Sequence, residues 1–139
     1  MARSQRSWRI ASETEPRHLL VIDDEFGIAQ LLRRQLEARG FGVDTADCAS
    51  TALTYLETHQ PDLVILDLRL PDISGYELCW TLRRIFNHAQ LPIVILTGVE
   101  QCLEDLEREA AGADAFLRKP CHPDDLAHTV NQLLHLSEL

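Results

Sequence analysis

A chain of 139 residues with 45% hydrophobic and 25% charged residues suits one globular domain and is too apolar for a disordered polypeptide. No apolar run approaches the roughly 20 residues that span a bilayer, so we expect a soluble protein with no membrane segment. The first eighteen residues hold four arginines and two glutamates, whereas the rest of the chain holds the other 9 bases and 20 acids and has a net charge of −11. Such an acidic domain is expected not to bind nucleic acid directly, because contacts to phosphates need Lys and Arg.

Residues 1–17 differ in composition from the rest of the chain. They are basic, and Trp8 and Ile10 are their only large apolar residues, so they lack the apolar stretch of a secretory signal. We therefore predict a mobile basic leader at 1–17 and one domain at 18–139. The 4 cysteines form no C-x-x-C pair, which predicts reduced thiols and a cytoplasmic location.

Short apolar runs alternate with amphipathic segments after the leader. Apolar, partly β-branched runs predict strands at residues 18–23, 41–45, 63–66, 93–97 and 113–117. Apolar residues at helical offsets predict five helices, whose inner positions are Ile28, Leu31, Leu32 and Leu36; Leu53 and Leu56; Leu78, Leu82 and Ile85; Leu103, Leu106 and Ala110; Leu126, Val130, Leu133 and Leu134.

Breakers and caps agree with this division. Gly40 and Gly112 are predicted helix stops, Ser50 is a predicted cap of the second helix, and Pro123 fits the first turn of the last one. Alternating strands and helices with right-handed crossovers predict an α/β fold, a doubly wound five-stranded parallel sheet with five helices.

Polar residues end several of the predicted strands. Asp23 and Asp24 follow the first strand, Asp67 the third, Thr97 the fourth and Lys119 the fifth. Such residues often serve only to cap a following helix or to face solvent. Because the carboxyl ends of parallel strands meet at one edge of the sheet, we expect all five side chains to share a pocket there.

Three neighbouring carboxylates repel one another, and a divalent cation with a preference for oxygen ligands relieves that repulsion. Mg²⁺ suits a few carboxylates together with waters and a phosphate oxygen. Lys119 would add a positive charge, Thr97 a hydroxyl donor, and Asp67 a nucleophile.

Four motifs give the sequence a family resemblance, namely VIDDE, PDLVILDLRLPDISGYEL, VILTG and GADAFLRKP. In this order and spacing they resemble the receiver domains of bacterial two-component response regulators, and in particular those of the chemotaxis-regulator type. The resemblance implies a flavodoxin-like fold. The resemblance runs from about Arg17 to Leu139.

The resemblance implies that Asp67 accepts a phosphoryl group from the phosphohistidine of a sensor histidine kinase or a histidine phosphotransfer protein. It implies Mg²⁺ as the cofactor, held by Asp24, Asp67 and the backbone carbonyl of Arg69, with Asp23 acting through water. Such a domain is not an enzyme in the usual sense, because it catalyses only its own phosphorylation and dephosphorylation.

The resemblance also implies a switch. Thr97 is the hydroxyl that moves to the phosphoryl group, Lys119 contacts that group, and Phe116 is the switch aromatic. A downstream protein target or a second copy of the chain would then bind the surface of the fourth helix, fifth strand and fifth helix. The Lys119-Pro120 bond is expected to be cis.

Four residues depart from the family pattern. Phe116 has no hydroxyl where Tyr is frequent, and Gly98 replaces the more common Ala or Ser. Arg69 and Val99 line the expected approach of water to the phosphoryl group on Asp67. We therefore expect this phosphoryl group to be hydrolysed at a rate that differs from the usual one, either faster or slower.

Two other classes of protein share this general topology. An aspartate-nucleophile phosphohydrolase of the haloacid dehalogenase type needs a second acid two residues after the nucleophile, where this chain has Arg69. A flavin-binding module needs a phosphate-cradling loop after the first strand, where this chain has the acidic segment DDEFG.

Trp80 is a separate candidate for function. It lies two residues past Leu78, about 200° round the helix, so it is expected to point outward. Either it contacts a partner, or its ring lies on Arg83 or Arg84.

Overall fold

The computed structural model describes residues 16–98 and 112–137, with side chains up to residue 135. Across these two ranges, five strands form one parallel sheet in the order β2-β1-β3-β4-β5. The strands are β1 (His18–Ile22), β2 (Gly42–Ala46), β3 (Leu63–Asp67), β4 (Ile93–Thr97) and β5 (Ala115–Arg118).

Four helices are described, α1 (Phe26–Glu37), α2 (Ala49–Thr58), α3 (Gly75–Ile85) and α4 (Pro123–Ser137). They are the first, second, third and fifth of the predicted helices. The predicted fourth helix around Leu103, Leu106 and Ala110 lies outside the described residues, as do Val99 and most of the predicted leader. The α/β class and the doubly wound parallel sheet are confirmed.

Both faces of the sheet are apolar, so alternate residues of each strand enter different core layers. Leu20, Ile22 and Leu66 pack with residues of α2 and α3. Leu19, Val21 and Ile65 pack with residues of α1 and α4. This two-sided burial explains the continuous apolar runs of the sequence, which are typical of parallel sheets covered by helices.

The predicted inner faces are wrong at two positions. Leu31 is 49% exposed, because α1 packs its stripe of Ala29, Leu32 and Leu36 against the sheet and Leu31 lies about 100° from Leu32. Ile85 is 58% exposed at the last position of α3, and Phe86, which follows in extended conformation, packs against the core instead.

The start of α2 also differs from the prediction, since Cys48 rather than Ser50 occupies the N-cap position. The cap lies two residues earlier than predicted, and the Cys48 thiol accepts a hydrogen bond from the Thr51 backbone N–H. Gly40, the predicted stop of the first helix, has φ +95, a left-handed conformation that favours glycine.

The outward direction predicted for Trp80 is confirmed, since this residue is 56% exposed. A partner contact of Trp80 stays a prediction. None of the helices in the described ranges is long and apolar enough to cross a membrane.

Candidate functional site

Three polar side chains are buried at the carboxyl edge of the sheet, Asp23 (2% exposed), Asp67 (6%) and Thr97 (1%). They are the only buried polar or charged residues in the described part of the chain. Charged groups are rarely buried unless they are paired, because their burial lowers the free energy of unfolding. Such a cost is common at functional sites.

A single lysine pairs with both buried acids. The Lys119 Nζ atom lies 3.1 Å from Asp23 Oδ2 and 3.2 Å from Asp67 Oδ2. The backbone N–H of Lys119 donates to the Thr97 carbonyl (2.7 Å), which holds the residue just past the end of β5. The bond to Pro120 is cis, as predicted.

Asp24 completes an acidic cluster. It is exposed, and one of its carboxylate oxygens lies within 4.8 Å of oxygens of Asp23 and Asp67. Three carboxylates therefore face the one ammonium of Lys119. An all-oxygen donor set with excess negative charge fits a hard divalent cation, so the cluster could hold a metal ion.

The pKa values of Asp67 and Lys119 are both raised, as expected where negative charges outnumber positive ones. Burial, together with the charge of Asp23, raises the pKa of Asp67 despite the opposing effect of Lys119. Burial alone would lower the pKa of Lys119, but its hydrogen bonds and charge interactions with Asp23 and Asp67 outweigh burial and raise it.

Backbone contacts fix the direction of both buried carboxylates. Asp23 Oδ1 accepts a hydrogen bond from the Glu25 N–H (3.0 Å), and the Asp23 N–H donates to the carbonyl of Ala46 (3.0 Å). Asp67 Oδ1 accepts a longer one from the Arg69 N–H (3.3 Å). Each acid therefore has one oxygen held by the chain and the other directed to Lys119.

The structure thus brings together four of the predicted site residues, Asp23, Asp24, Asp67 and Lys119. Thr97 is buried at the adjacent strand end, where its hydroxyl makes only a long contact of 3.5 Å with the Gly98 carbonyl. Phe116 is half-buried in β5 opposite Ile95 and packs against the core layer of α2 and α3. The Arg69 side chain is exposed in the loop after Asp67.

Two further residues shape this loop, and neither was identified as part of the site from the sequence. Gly75 donates its N–H to the Leu68 carbonyl (2.8 Å) and closes the loop onto the end of β3. Asp72 accepts hydrogen bonds from the first backbone N–H groups of α2. The sequence does mark this glycine as the end of a loop that begins near Pro71, whereas nothing in the sequence indicates the partner of Asp72.

The model of the response regulator receiver domain matches residues 19–131. The chain belongs to this family. Neither the phosphohydrolase nor the flavin-binding alternative is supported by the match. The chain is a receiver domain of two-component signalling, with the fold and the strand-end acids that the family resemblance implied.

Among curated relatives, the chain is 40% identical over 121 residues to the response regulator Rre1 of Synechocystis, covering 86% of this chain and 52% of that protein. It is 36% identical to the alkaline phosphatase synthesis transcriptional regulatory protein PhoP of Bacillus subtilis, covering 87% and 50%. The receiver domain therefore spans about half the length of these relatives.

Solved structures of receiver domains are similar over nearly their whole length. A CheY-like receiver domain protein of Methanospirillum hungatei superposes with a TM-score of 0.80 at 28% identity, covering 88% of this chain and 97% of that one. The response regulator TrrA of Thermotoga maritima, solved in complex with Mg²⁺ and BeF, has a TM-score of 0.76 at 33% identity, with coverage of 84% and 98%.

Proposed function

We propose that Asp67 is the phosphoacceptor of this receiver domain. The observation that carries the proposal is the buried Asp67 carboxylate, ion-paired with Lys119 inside a cluster of three acids. The phosphodonor would be a phosphohistidine on a sensor histidine kinase or a histidine phosphotransfer protein. The domain would catalyse only its own phosphorylation and dephosphorylation.

A carboxylate oxygen of Asp67 attacks the phosphorus atom of the donor and forms an acyl phosphate. The bond between phosphorus and the donor's imidazole nitrogen breaks, and its electron pair stays on that nitrogen. Charge accumulates on the three equatorial oxygens during this transfer. The Lys119 ammonium, 3.2 Å from Asp67 Oδ2, is placed to stabilise one of these oxygens.

Mg²⁺ is the cation that best fits the acidic cluster, and when bound it would offset charge on the phosphoryl oxygens. We assign its ligands to the carboxylates of Asp24 and Asp67 and to the backbone carbonyl of Arg69. Asp23, which is already held by Glu25 and Lys119, would act through water. The similarity to TrrA, solved with Mg²⁺ and BeF, supports this choice.

The switch would use Thr97 and Phe116. The Thr97 hydroxyl makes only a long contact with Gly98, so little binding energy opposes its movement toward a phosphoryl group on Asp67. The half-buried ring of Phe116 would then turn inward. Since this ring has no hydroxyl to satisfy, its burial would change the surface by apolar packing alone.

The changed surface would consist of the predicted fourth helix, β5 and α4, and it would bind a downstream protein target or a second copy of the chain. We place this reaction in the cytoplasm and the receiver domain at residues 18–139, after a basic leader at 1–17. Phosphorylation would favour only those partners that bind the two states with different affinity, by a coupling of about 1–3 kcal/mol.

Mass spectrometry after incubation with Mg²⁺ and acetyl phosphate tests the proposal. The wild-type chain should gain one phosphoryl group, and Asp67→Asn should gain none at the specific site. The control is Asp125→Asn, which removes an exposed carboxylate from the first turn of α4 and should leave phosphorylation unchanged. Equal labelling of the Asp67→Asn variant would refute the assignment.

A further inference from the structure

The amino end of α2 depends on a residue from a distant part of the chain. Asp72 Oδ1 accepts a hydrogen bond from the Ala49 N–H (3.0 Å), and Oδ2 accepts one from the Ser50 N–H (2.8 Å). The first backbone N–H groups of a helix have no partner within the helix and need such acceptors. Asp72 therefore serves as a remote cap, 23 and 22 residues away along the chain.

The local cap of α2 is weak by comparison. At the N-cap position, the Cys48 thiol accepts from the Thr51 N–H at 3.5 Å, and a thiol is a poor acceptor. A carboxylate is a strong acceptor, and it also interacts favourably with the positive end of the helix dipole. Asp72 therefore provides the principal contact at this helix end.

The same residue lies in the loop that leaves Asp67. That loop is attached at its start by the bond from the Arg69 N–H to Asp67 and at its end by the bond from the Gly75 N–H to the Leu68 carbonyl. Between these two points, the bonds of Asp72 to α2 tie it to a neighbouring element. Arg69, whose carbonyl we assign to Mg²⁺, lies three residues before Asp72.

The opposite end of this connection is also part of the site. The chain entering α2 comes from β2, and the carbonyl of Ala46 at the end of β2 accepts the N–H of Asp23. Asp72 therefore links the loop after Asp67 to the segment that supports Asp23. One exposed carboxylate thus connects the two chain segments that flank the acidic cluster.

We propose that Asp72 is a positioning residue, which holds the loop after Asp67 against α2 so that the Arg69 carbonyl is placed for Mg²⁺. This inference rests on the proposed function and deepens it. Loss of the Asp72 carboxylate should weaken Mg²⁺ binding by roughly tenfold, as removal of groups that orient metal ligands does elsewhere.

Calorimetric titration of the unphosphorylated full chain with Mg²⁺ tests the proposal, alongside thermal unfolding without the metal. Asp72→Ala should show the roughly tenfold loss of Mg²⁺ affinity. The matched control is Glu57→Ala, which removes an exposed acid from the last turn of the same helix and should bind Mg²⁺ as the wild type does. Equal affinity in the Asp72 and Glu57 variants would overturn the proposal.

A double variant separates positioning from helix capping. Serine is a strongly preferred N-cap residue and a thiol is a weak acceptor, so Cys48→Ser combined with Asp72→Ala should recover the unfolding temperature. Mg²⁺ affinity should stay low in the double variant, since the loop remains detached. Recovery of the affinity together with stability would overturn positioning and leave Asp72 as a helix cap only.

The outcome also distinguishes this inference from the proposed function. A wild-type chain that fails to bind Mg²⁺ would refute the proposed metal site, and the role of Asp72 toward it would fall with it. A wild-type chain that binds Mg²⁺ and is phosphorylated at Asp67, but whose Asp72→Ala variant binds Mg²⁺ equally well, would refute only the role of Asp72.

Discussion

Gly75, the first residue of α3, lies directly against the backbone of Leu68, the first residue after Asp67. A Cβ atom on Gly75 would approach the Leu68 Cα to 2.6 Å and the Asp67 carbonyl oxygen to 2.7 Å. Both neighbours are backbone atoms of the buried strand end, so neither can move aside as a flexible side chain would. The absence of a side chain at Gly75 therefore allows α3 to start beside the acidic site.

Gly75→Ala should accordingly displace the loop after Asp67 and lower the free energy of unfolding by about 1–3 kcal/mol, the usual cost of overpacking. Phosphorylation by acetyl phosphate should also become slower. Gly27→Ala is the control, because a Cβ there would meet nothing within 4 Å. Urea denaturation of both variants measures the difference, and equal stabilities would contradict the steric argument.

A second prediction concerns Arg83, which ties the end of α3 to the amino edge of the sheet. Its guanidinium donates to the carbonyls of Gly112 (2.5 Å) and Leu91 (2.7 Å) and to the Asp114 carboxylate (2.5 Å). The side chains of Arg83 and Asp114 are only 12% and 15% exposed. Removal of the guanidinium would leave a nearly buried carboxylate with only the His88 ring (2.7 Å) and the Ile93 N–H (2.8 Å) as partners.

Arg83→Leu should therefore lower the free energy of unfolding by about 3 kcal/mol, the lower part of the range for breaking a buried pair. Arg84→Leu changes the exposed neighbour in the same helix and should stay within about 0.5 kcal/mol of the wild type. Chemical denaturation of the two variants is the measurement. A similar small loss in both would show that the Arg83 network contributes little.

A third prediction concerns the pH dependence of stability at Asp44. Burial would raise the pKa of Asp44, but hydrogen bonds from Tyr55 (2.7 Å) and His18 (3.0 Å) outweigh it and hold the pKa below its ordinary value. A carboxyl group with a lowered pKa in the folded state stabilises the protein above its ordinary pKa of about 3.9. That contribution is lost as the pH falls through the folded-state pKa.

Tyr55→Phe removes one of these hydrogen bonds and should cost about 0.5–1 kcal/mol at neutral pH, a modest value because Asp44 is partly exposed to solvent. The cost should shrink as the pH falls below about 4, where the unfolded chain takes up the proton, and then through the lower pKa that Asp44 has in the folded protein. Urea denaturation across this range measures it. In an Asp44→Asn background, Tyr55→Phe should cost clearly less, and an unchanged cost would place the effect elsewhere.

The positions of Asp23, Asp67, Thr97 and Lys119 could be predicted from the sequence because each one ends a strand. In a parallel sheet the carboxyl ends of the strands share one edge, so the order of the apolar runs is sufficient to bring these residues together. The apolar runs were themselves easy to recognise, since burial on both faces leaves strands such as LVIL without polar residues.

Contacts between distant loops could not be predicted in this way. Asp72 bonds to residues 22 and 23 positions away, and no periodicity relates a loop aspartate to the start of an earlier helix. Arg83 likewise looks like an exposed helix residue in the sequence, and its burial depends on Gly112 and Asp114, which come from the segment just before β5. Local patterns determine the elements, whereas these contacts depend on how the elements pack.

The last prediction concerns how a protein phosphodonor approaches Asp67. Any such donor must bring its phosphohistidine to the acidic cluster and must therefore cover the residues around it. Phe26 begins α1 two residues after Asp24 and is 77% exposed. A large aromatic ring beside a site that a partner must cover is a common centre of binding energy.

Phe26→Ala should slow, by about tenfold, the phosphoryl transfer from a histidine kinase or phosphotransfer protein that phosphorylates the wild type. This factor is equivalent to about 1.4 kcal/mol of lost partner binding. Transfer from acetyl phosphate should be unchanged, because this small donor does not need the ring. Ile85→Ala is the matched control, because it removes an exposed large apolar side chain from the last position of α3, at the amino edge of the sheet, and transfer from both donors is expected at the wild-type rate. If Phe26→Ala slowed acetyl phosphate as strongly as the protein donor, the ring would support the site itself rather than contact a partner. Equal slowing of the protein donor by both variants would show that Phe26 has no special place in the encounter.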